Sequence, residues 1–390
     1  MPEFLTLLPP DEARALLLSR LSEPIIDSEV INVPASLGRV LAEDVIAPQP
    51  LPDFQRSTVD GYAVRARDTH GASDSLPAYL NLTGEVPMGD APMFELGTSQ
   101  CALIHTGGML PNGADAVVML EYTQQTSRDR QLSISTGEIE IFRAVADGEN
   151  VIRVGEDVSQ GQTVQAKGSL IRPAEIGGLM ALGIVKIRVV RRVQVGLIST
   201  GDEVIEPVRS PRPGQVRDVN SYTLGALVEK SGGIAKLYGI VSDQFEIVKD
   251  TAAKALSECD VVIITAGSSA STRDMTADVI RSLGEPGVLV HGINSRPGKP
   301  TILGVCRGKA VIGLPGNPVS ALVNGYLFVV PVIEKLLGAL PKPRPSVLAQ
   351  LTVNLPSQAG REDWWPVKLT TEPRSHGDLK TLSLGDSVVS

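Results

Sequence analysis

A regular alternation beginning near residue 191 limits how this chain can fold more than any other feature. Short apolar, β-branched runs at 193–199, 234–241 and 260–265 read as strands. Amphipathic stretches at 221–231, 244–257 and 274–283 read as the helices between them. Three further short strands are expected near 288–291, 301–305 and 309–312, and a long apolar helix over 321–337. Alternation of this kind requires a mostly parallel sheet covered by helices on both faces. In such sheets ligands bind at the carboxyl ends of the strands, where the strand order switches.

The turns at those strand ends are therefore the first candidates for chemistry. Gly313-Leu314-Pro315-Gly316-Asn317-Pro318-Val319-Ser320 links a strand to a helix. Gly316 supplies backbone freedom, Asn317 can cap, and Pro318 suits the first helical turn. Several N–H groups left free there would seat an anion, although the turn serves structure equally well. Ser199-Thr200-Gly201-Asp202-Glu203 and the turn from Thr265 to Thr272, which contains Ser269, repeat the pattern. Together the three could hold phosphates or oxyanions. There is no Gly-x-Gly-x-x-Gly and no Gly-x-x-x-x-Gly-Lys-Ser/Thr, so neither a dinucleotide fold nor a P-loop is expected. Arg296-Pro297-Gly298-Lys299-Pro300 is a rigid basic turn in which Arg296 offers a fork and Lys299 a point charge to phosphate. Asp202, Glu203, Asp243 and Asp274 lie in the same neighbourhoods, and Asp60 lies in Ser57-Thr58-Val59-Asp60-Gly61-Tyr62-Ala63. Acids beside a phosphate site suggest a divalent metal such as Mg²⁺; acids before helices also serve as N-caps, which applies to Asp243 and Asp274.

Composition narrows the ligand class. The net charge of −8 argues against coating nucleic acid or an anionic membrane, and 4% aromatic residues are too few for a base-stacking surface. The three cysteines (Cys101, Cys259, Cys306) have no metal spacing and suit a reducing cytoplasm. The N-terminus lacks the basic start of a signal peptide, and the 321–337 run is broken by Asn324, Gly325 and Pro331, so no membrane span is expected.

The remainder is less regular. Helical periodicity is visible at 11–22 and 35–45, and at 173–182 after Pro173. Strand-like pieces at 78–82, 99–105, 116–121 and 131–135 sit between Gly/Pro turns and read as an all-β insertion. The expected organisation is an elongated α+β N-terminal domain (1–50 with 145–190), an inserted β-domain (51–144), the α/β sheet domain (191–345) and, after a Pro-rich linker at 341–345, a small C-terminal β-domain (346–390). Trp364 and Trp365 read as core of that last domain, which looks short because further strands would be expected after Gly385.

An ordered series of motifs resembles the MoeA-type molybdopterin molybdenumtransferases, a family that includes the E domain of gephyrin. It comprises Gly38-Arg39-Val40-Leu41-Ala42-Glu43-Asp44-Val45, Asp60-Gly61-Tyr62-Ala63-Val64, Thr106-Gly107, Gly113-Ala114-Asp115-Ala116-Val117-Val118, Gly155-Glu156-Asp157, Ser199 to Glu203, Arg296 to Pro300 and Gly313 to Ser320. The resemblance implies a MogA-like sheet domain that holds adenylylated molybdopterin. It implies insertion of molybdate or tungstate at the dithiolene and Mg²⁺-dependent release of AMP. A homodimer is implied in which the partner's β insertion brings Asp60 and Thr106 to the cleft, with a molybdopterin adenylyltransferase as a further partner. By the same resemblance, Asp60, Glu203, Asp274 and Lys299 are catalytic, and Asp202, Asp243 and Asp274 serve the metal. Thr106, Thr200, Gly201, Ser269, Arg296, Gly316, Asn317 and Ser320 are substrate-binding.

The chain departs from the family pattern at three points. Its Gly-rich turn is Ala266-Gly267-Ser268-Ser269-Ala270-Ser271, a frequent Lys is Ala277, and Gln55-Arg56 replaces Asp-Asn. These leave two alternatives open: a molybdopterin adenylyltransferase, against which the insertion and last domain argue, and a non-catalytic scaffold or substrate-holding protein.

Overall fold

The structure is a computed structural model that describes residues 7–25, 27–126, 137–266, 270–341, 345–349, 355–368 and 387–389. The side chains of 270–274 and 387–389 fall outside that description. The chain packs as two units: Met1–Glu43, Lys167–Ile176 and Lys186–Ser390 in one, Asp44–Ala166 and Gly177–Val185 in the other.

The first unit is built on a six-stranded sheet. Its elements are β1 (Val193–Thr200), α1 (Asn220–Lys230), β2 (Gly233–Val241), α2 (Phe245–Glu258), β3 (Val261–Ala266), α3 (Ala270–Ser282), β4 (Pro286–His291), β5 (Ile302–Cys306), β6 (Lys309–Pro315) and α4 (Pro318–Asn324). The strand order is β2-β1-β3-β6-β5-β4. β2, β1, β3 and β6 run parallel, whereas β5 and β4 are antiparallel additions at one edge. Period-two alternation directs the side chains. Val261 and Ile263 of β3 enter the core shared with α1 and the α4 region, and Val262 and Ile264 enter the core under α2 and α3. Each such residue, fully buried, contributes roughly 1.5–3 kcal/mol relative to exposure. From β1 the chain runs outward to β2 and returns on the other side of β1 to form β3, so the order switches between β1 and β3.

Three expectations are corrected in this unit. Residues 35–45 form no helix. A 3₁₀ turn at Val33–Ala35 is followed by left-handed Gly38, and Val40 and Leu41 make isolated β-bridges to Leu170 and Val189. The apolar spacing there reflects bridge pairing, which a helical reading also fits. The long apolar helix starts at Pro318 and passes through a π-helical turn (Gly325–Val329) before Val330–Leu336. Pro331 has no N–H to donate, which accounts for the widened turn ahead of it. Pro318–Leu336 is 19 residues and apolar enough to cross a membrane by length and composition. Phe328, Val329, Val332 and Ile333 are nonetheless fully buried against the sheet, so it is a core helix. Finally, Trp364 packs on the sheet core rather than in a core of its own. Its segment is registered there by parallel pairing of Ser295–Arg296 with Glu362–Asp363.

The second unit contains a six-stranded, mostly antiparallel sheet from Gly61–Val64, Ala78–Glu85, Gln100–Ile104, Ala116–Met119, Thr123–Gln125 and Glu138–Ile141. Successive residues again divide between two cores: Tyr62 and Val64 on one face, Ala63 on the other. Gly61 sits so close to the neighbouring strand that a Cβ would lie 2.0 Å from the Val118 carbonyl oxygen. The strand expected at 131–135 lies outside the described residues.

Candidate functional site

The carboxyl ends of β1, β3 and β6 open on a cavity of about 750 Å³. Ser199 and Thr200 reach it from β1, Thr265 from β3, and Gly316, Asn317 and Pro318 from the turn after β6. Asp218, Val219 and Asn220 at the start of α1 close one side, and Glu203, Val204, Gln215, Val216 and Arg217 another. The last group is held by parallel pairing of Val204–Ile205 with Val216–Arg217.

Most polar groups around this cavity are satisfied. Asp218 accepts from the Ser221 N–H in the first turn of α1 at 3.1 Å. Asn317 accepts from the Val319 and Ser320 N–H groups at 3.1 and 3.3 Å. The expected cap is therefore present, but it occupies two of the donors that an anion would have used. One oxygen of the lining is different. Asn220 Oδ1 is buried and has no hydrogen-bond partner among the described residues. Leaving such a group unpaired costs about 1–3 kcal/mol, which a fold retains only for a reason.

Asp243 follows β2, beside Thr200. Its N–H lies 3.4 Å from Asp202 Oδ1. Burial pushes its carboxyl above the usual range, the Thr200 hydroxyl opposes this, and the charges of Asp202 and Glu203 add to the rise. Left-handed Gly201 (φ 139°) makes the turn that brings these acids together; a Cβ there would meet Val204 and Glu203 at 2.7 and 2.8 Å. Among the described residues no three His, Cys, Asp or Glu side chains converge as a metal site. Two carboxylates with a hydroxyl still fit Mg²⁺, which takes one or two carboxylates and completes its shell from phosphate and water.

The remaining candidate residues are distributed as follows. Ser269 and the side chain of Asp274 lie outside the described residues. Ser320 is beside the cap, its hydroxyl 3.4 Å from Asn317 Oδ1. Arg296 and Lys299 are exposed and do not line the cavity. The Arg296 guanidinium lies 5.5 Å over the Trp365 ring, and its carbonyl accepts from the Trp364 N–H at 2.7 Å. Gly298 (φ 109°) presses on buried Asn324; a Cβ would sit 1.8 Å from Nδ2.

In the second unit Asp60 and Thr106 do meet. Asp60 Oδ1 accepts from the Thr106 N–H at 2.7 Å and from its hydroxyl at 3.1 Å. The Thr106 backbone N–H, and then its hydroxyl, hold the Asp60 carboxyl below its ordinary value. His105 adds Nδ1 at 3.9 Å from Asp60 and Nε2 at 3.0 Å from Glu85. Sequence reasoning passed over His105 and Glu85, as it did Gln215, Arg217, Asp218 and Asn220. The available signal for Asn220 was its place immediately before a predicted helix, where Asn usually reads only as a cap.

The fold and this cavity define a multi-domain α/β protein with an oxygen-rich small-molecule site at a strand-order switch. Comparisons make the class specific. Residues 8–183 match the MoeA N-terminal region (domain I and II), and residues 196–335 match a probable molybdopterin binding domain. A Methanocaldococcus jannaschii relative, named for molybdopterin biosynthesis, is 38% identical over 94% of this chain and 88% of its own. The molybdopterin molybdenumtransferase of Haemophilus influenzae is 34% identical over 91% and 84%. A crystal structure of the molybdopterin biosynthesis MoeA protein from Pyrococcus horikoshii OT3 superposes with TM-score 0.79 at 34% identity, over 98% of this chain and 91% of that one. The chain belongs to the MoeA family.

Proposed function

We propose that this protein is a molybdopterin molybdenumtransferase of molybdenum cofactor biosynthesis, which inserts molybdate or tungstate into adenylylated molybdopterin and releases AMP. The observation that carries this reading is an oxygen-lined cavity at the carboxyl ends of β1, β3 and β6, with the Asp243 carboxyl, bonded by the Thr200 hydroxyl, pushed above its ordinary value by burial and by the charges of Asp202 and Glu203. Acids gathered and penalised in this way suit a cation. Two relatives, from Haemophilus influenzae and Nostoc, carry the name of this activity.

The residues then divide the work. The cavity takes the organic part of the substrate and shields it from water. Asp243 and Asp202, with the Thr200 hydroxyl, would hold Mg²⁺, which when bound offsets charge on the diphosphate oxygens. Burial penalises the Asp243 carboxylate, and a cation relieves that penalty, so the acid is poised for one. Among the described residues the cavity lining holds no Cys, Lys or His, and its contribution is positioning and electrostatics. A second copy of the chain would supply Asp60 and Thr106, and the three buried, free cysteines suit a reducing cytoplasm.

The test is turnover. Purified protein, adenylylated molybdopterin and Mg²⁺ are mixed with molybdate or tungstate, and AMP is followed. Oxyanion-dependent AMP release is expected, and the ratio of the two rates names the metal. Tight binding of the substrate without AMP release would overturn the reading in favour of a holding role.

A further inference from the structure

We infer that Asn220 is a specificity residue: its side-chain oxygen accepts a hydrogen bond from an N–H on the edge of a planar heterocycle seated in the sheet-edge cavity. This rests on the proposed function and deepens it, because the substrate has two heterocycles and the cavity must take one of them.

Asn220 is only 8% exposed and lines the cavity. Its Nδ2 donates to the Gly316 carbonyl at 2.9 Å. That bond fixes which way the amide faces, since the flipped form would set two oxygens against each other. Oδ1 is then left without a partner. An amide oxygen can only accept, so the ligand atom that completes it is a donor. The neighbouring walls favour a flat heterocycle over a sugar: Val204, Val216, Val219, Pro211 and Pro318 are apolar. A site with a fixed, buried acceptor rejects analogues that lack the matching donor, because the acceptor would stay unpaired.

A pterin and an adenine both carry amino and ring N–H edges, so the experiment must separate them. The full chain and its Asn220→Ala and Asn220→Asp variants are titrated calorimetrically, under anaerobic conditions, with molybdopterin and separately with AMP. The expected result is that Asn220→Ala weakens one of the two by on the order of tenfold and leaves the other within about twofold. The ligand that weakens is the one held in the cavity. Asn220→Asp keeps an acceptor but sets a carboxylate oxygen against the Gly316 carbonyl, so it is expected to weaken the same ligand as Asn220→Ala. If the wild type binds and Asn220→Ala changes neither ligand, the inference falls and the proposed function stands. It also falls if both ligands weaken equally, since the Gly316 contact would then be a purely structural tie. Wild-type protein that binds neither ligand would overturn the proposed function, and this inference with it.

Discussion

The sheet-edge cavity and the Asp60 cluster both gather acids and hydroxyls, yet they are finished differently. In the cavity, Asn220 is buried with a side-chain oxygen that no described residue completes, and beside Thr200 the Asp243 carboxylate is penalised by burial and by Asp202 and Glu203. In the insertion, Asp60 is exposed and already accepts two bonds from Thr106. The first region carries a standing energetic cost that a ligand can remove. The second is a satisfied surface device whose geometry is set before anything arrives. The unpaired Asn220 oxygen therefore asks for a ligand, and the Asp60 carboxyl does not.

The largest expected effect of substitution is structural. Gly61→Ala would place a methyl 2.0 Å from a carbonyl oxygen of the adjacent strand, where only backbone can move. It should cost about 3 kcal/mol in denaturant unfolding of the insertion, in line with overpacking. A neutral result would mean that the motif glycine serves the site instead.

Next comes Asp243→Asn. AMP release should fall by on the order of 100-fold, about 2.7 kcal/mol in the barrier. Stability at neutral pH should stay equal or rise, because a charge opposed by burial, Asp202 and Glu203 is removed. Lost stability with full turnover would break the contrast between the two regions.

Thr200→Val sharpens it. Removing the hydroxyl takes a hydrogen bond from the Asp243 carboxyl, whose pKa should rise further, and should slow AMP release roughly tenfold. Unchanged turnover would leave Thr200 a structural partner of Asp243 alone.

Asp60→Asn should show the smallest change in stability, and one confined to acid. Its folded pKa is held low, so its contribution is present above the ordinary value of 3.8 and is lost as pH falls through the lower folded value. The substitution should flatten that part of the pH–stability curve. If a second copy completes the site, mixing Asp60→Asn and Asp243→Asn chains should restore a fraction of the AMP release that each lacks alone.

Much of the first unit was legible because period-two and 3.6-residue patterns dictate which side chains enter the core. The strands and helices from 193 to 315 fall within a few residues of their expected bounds, and the Asn317 cap follows from local chemistry. Residues 35–45 misled because isolated bridges can place apolar side chains at helical spacing. Asn220 was missed because its role depends on the Gly316 carbonyl, 96 residues away, and on burial that no local pattern encodes. Arg296 and Lys299 were legible as a rigid basic turn, but not the fact that the turn is held against Trp364 and Trp365.

The most direct test of the claim that the sheet-edge cavity seats the substrate is amide hydrogen exchange of the full chain with and without adenylylated molybdopterin and Mg²⁺. Protection is predicted at 199–204, 215–220 and 316–320. Protection confined to the residues around Asp60 and Thr106, with the sheet edge unchanged, would contradict it.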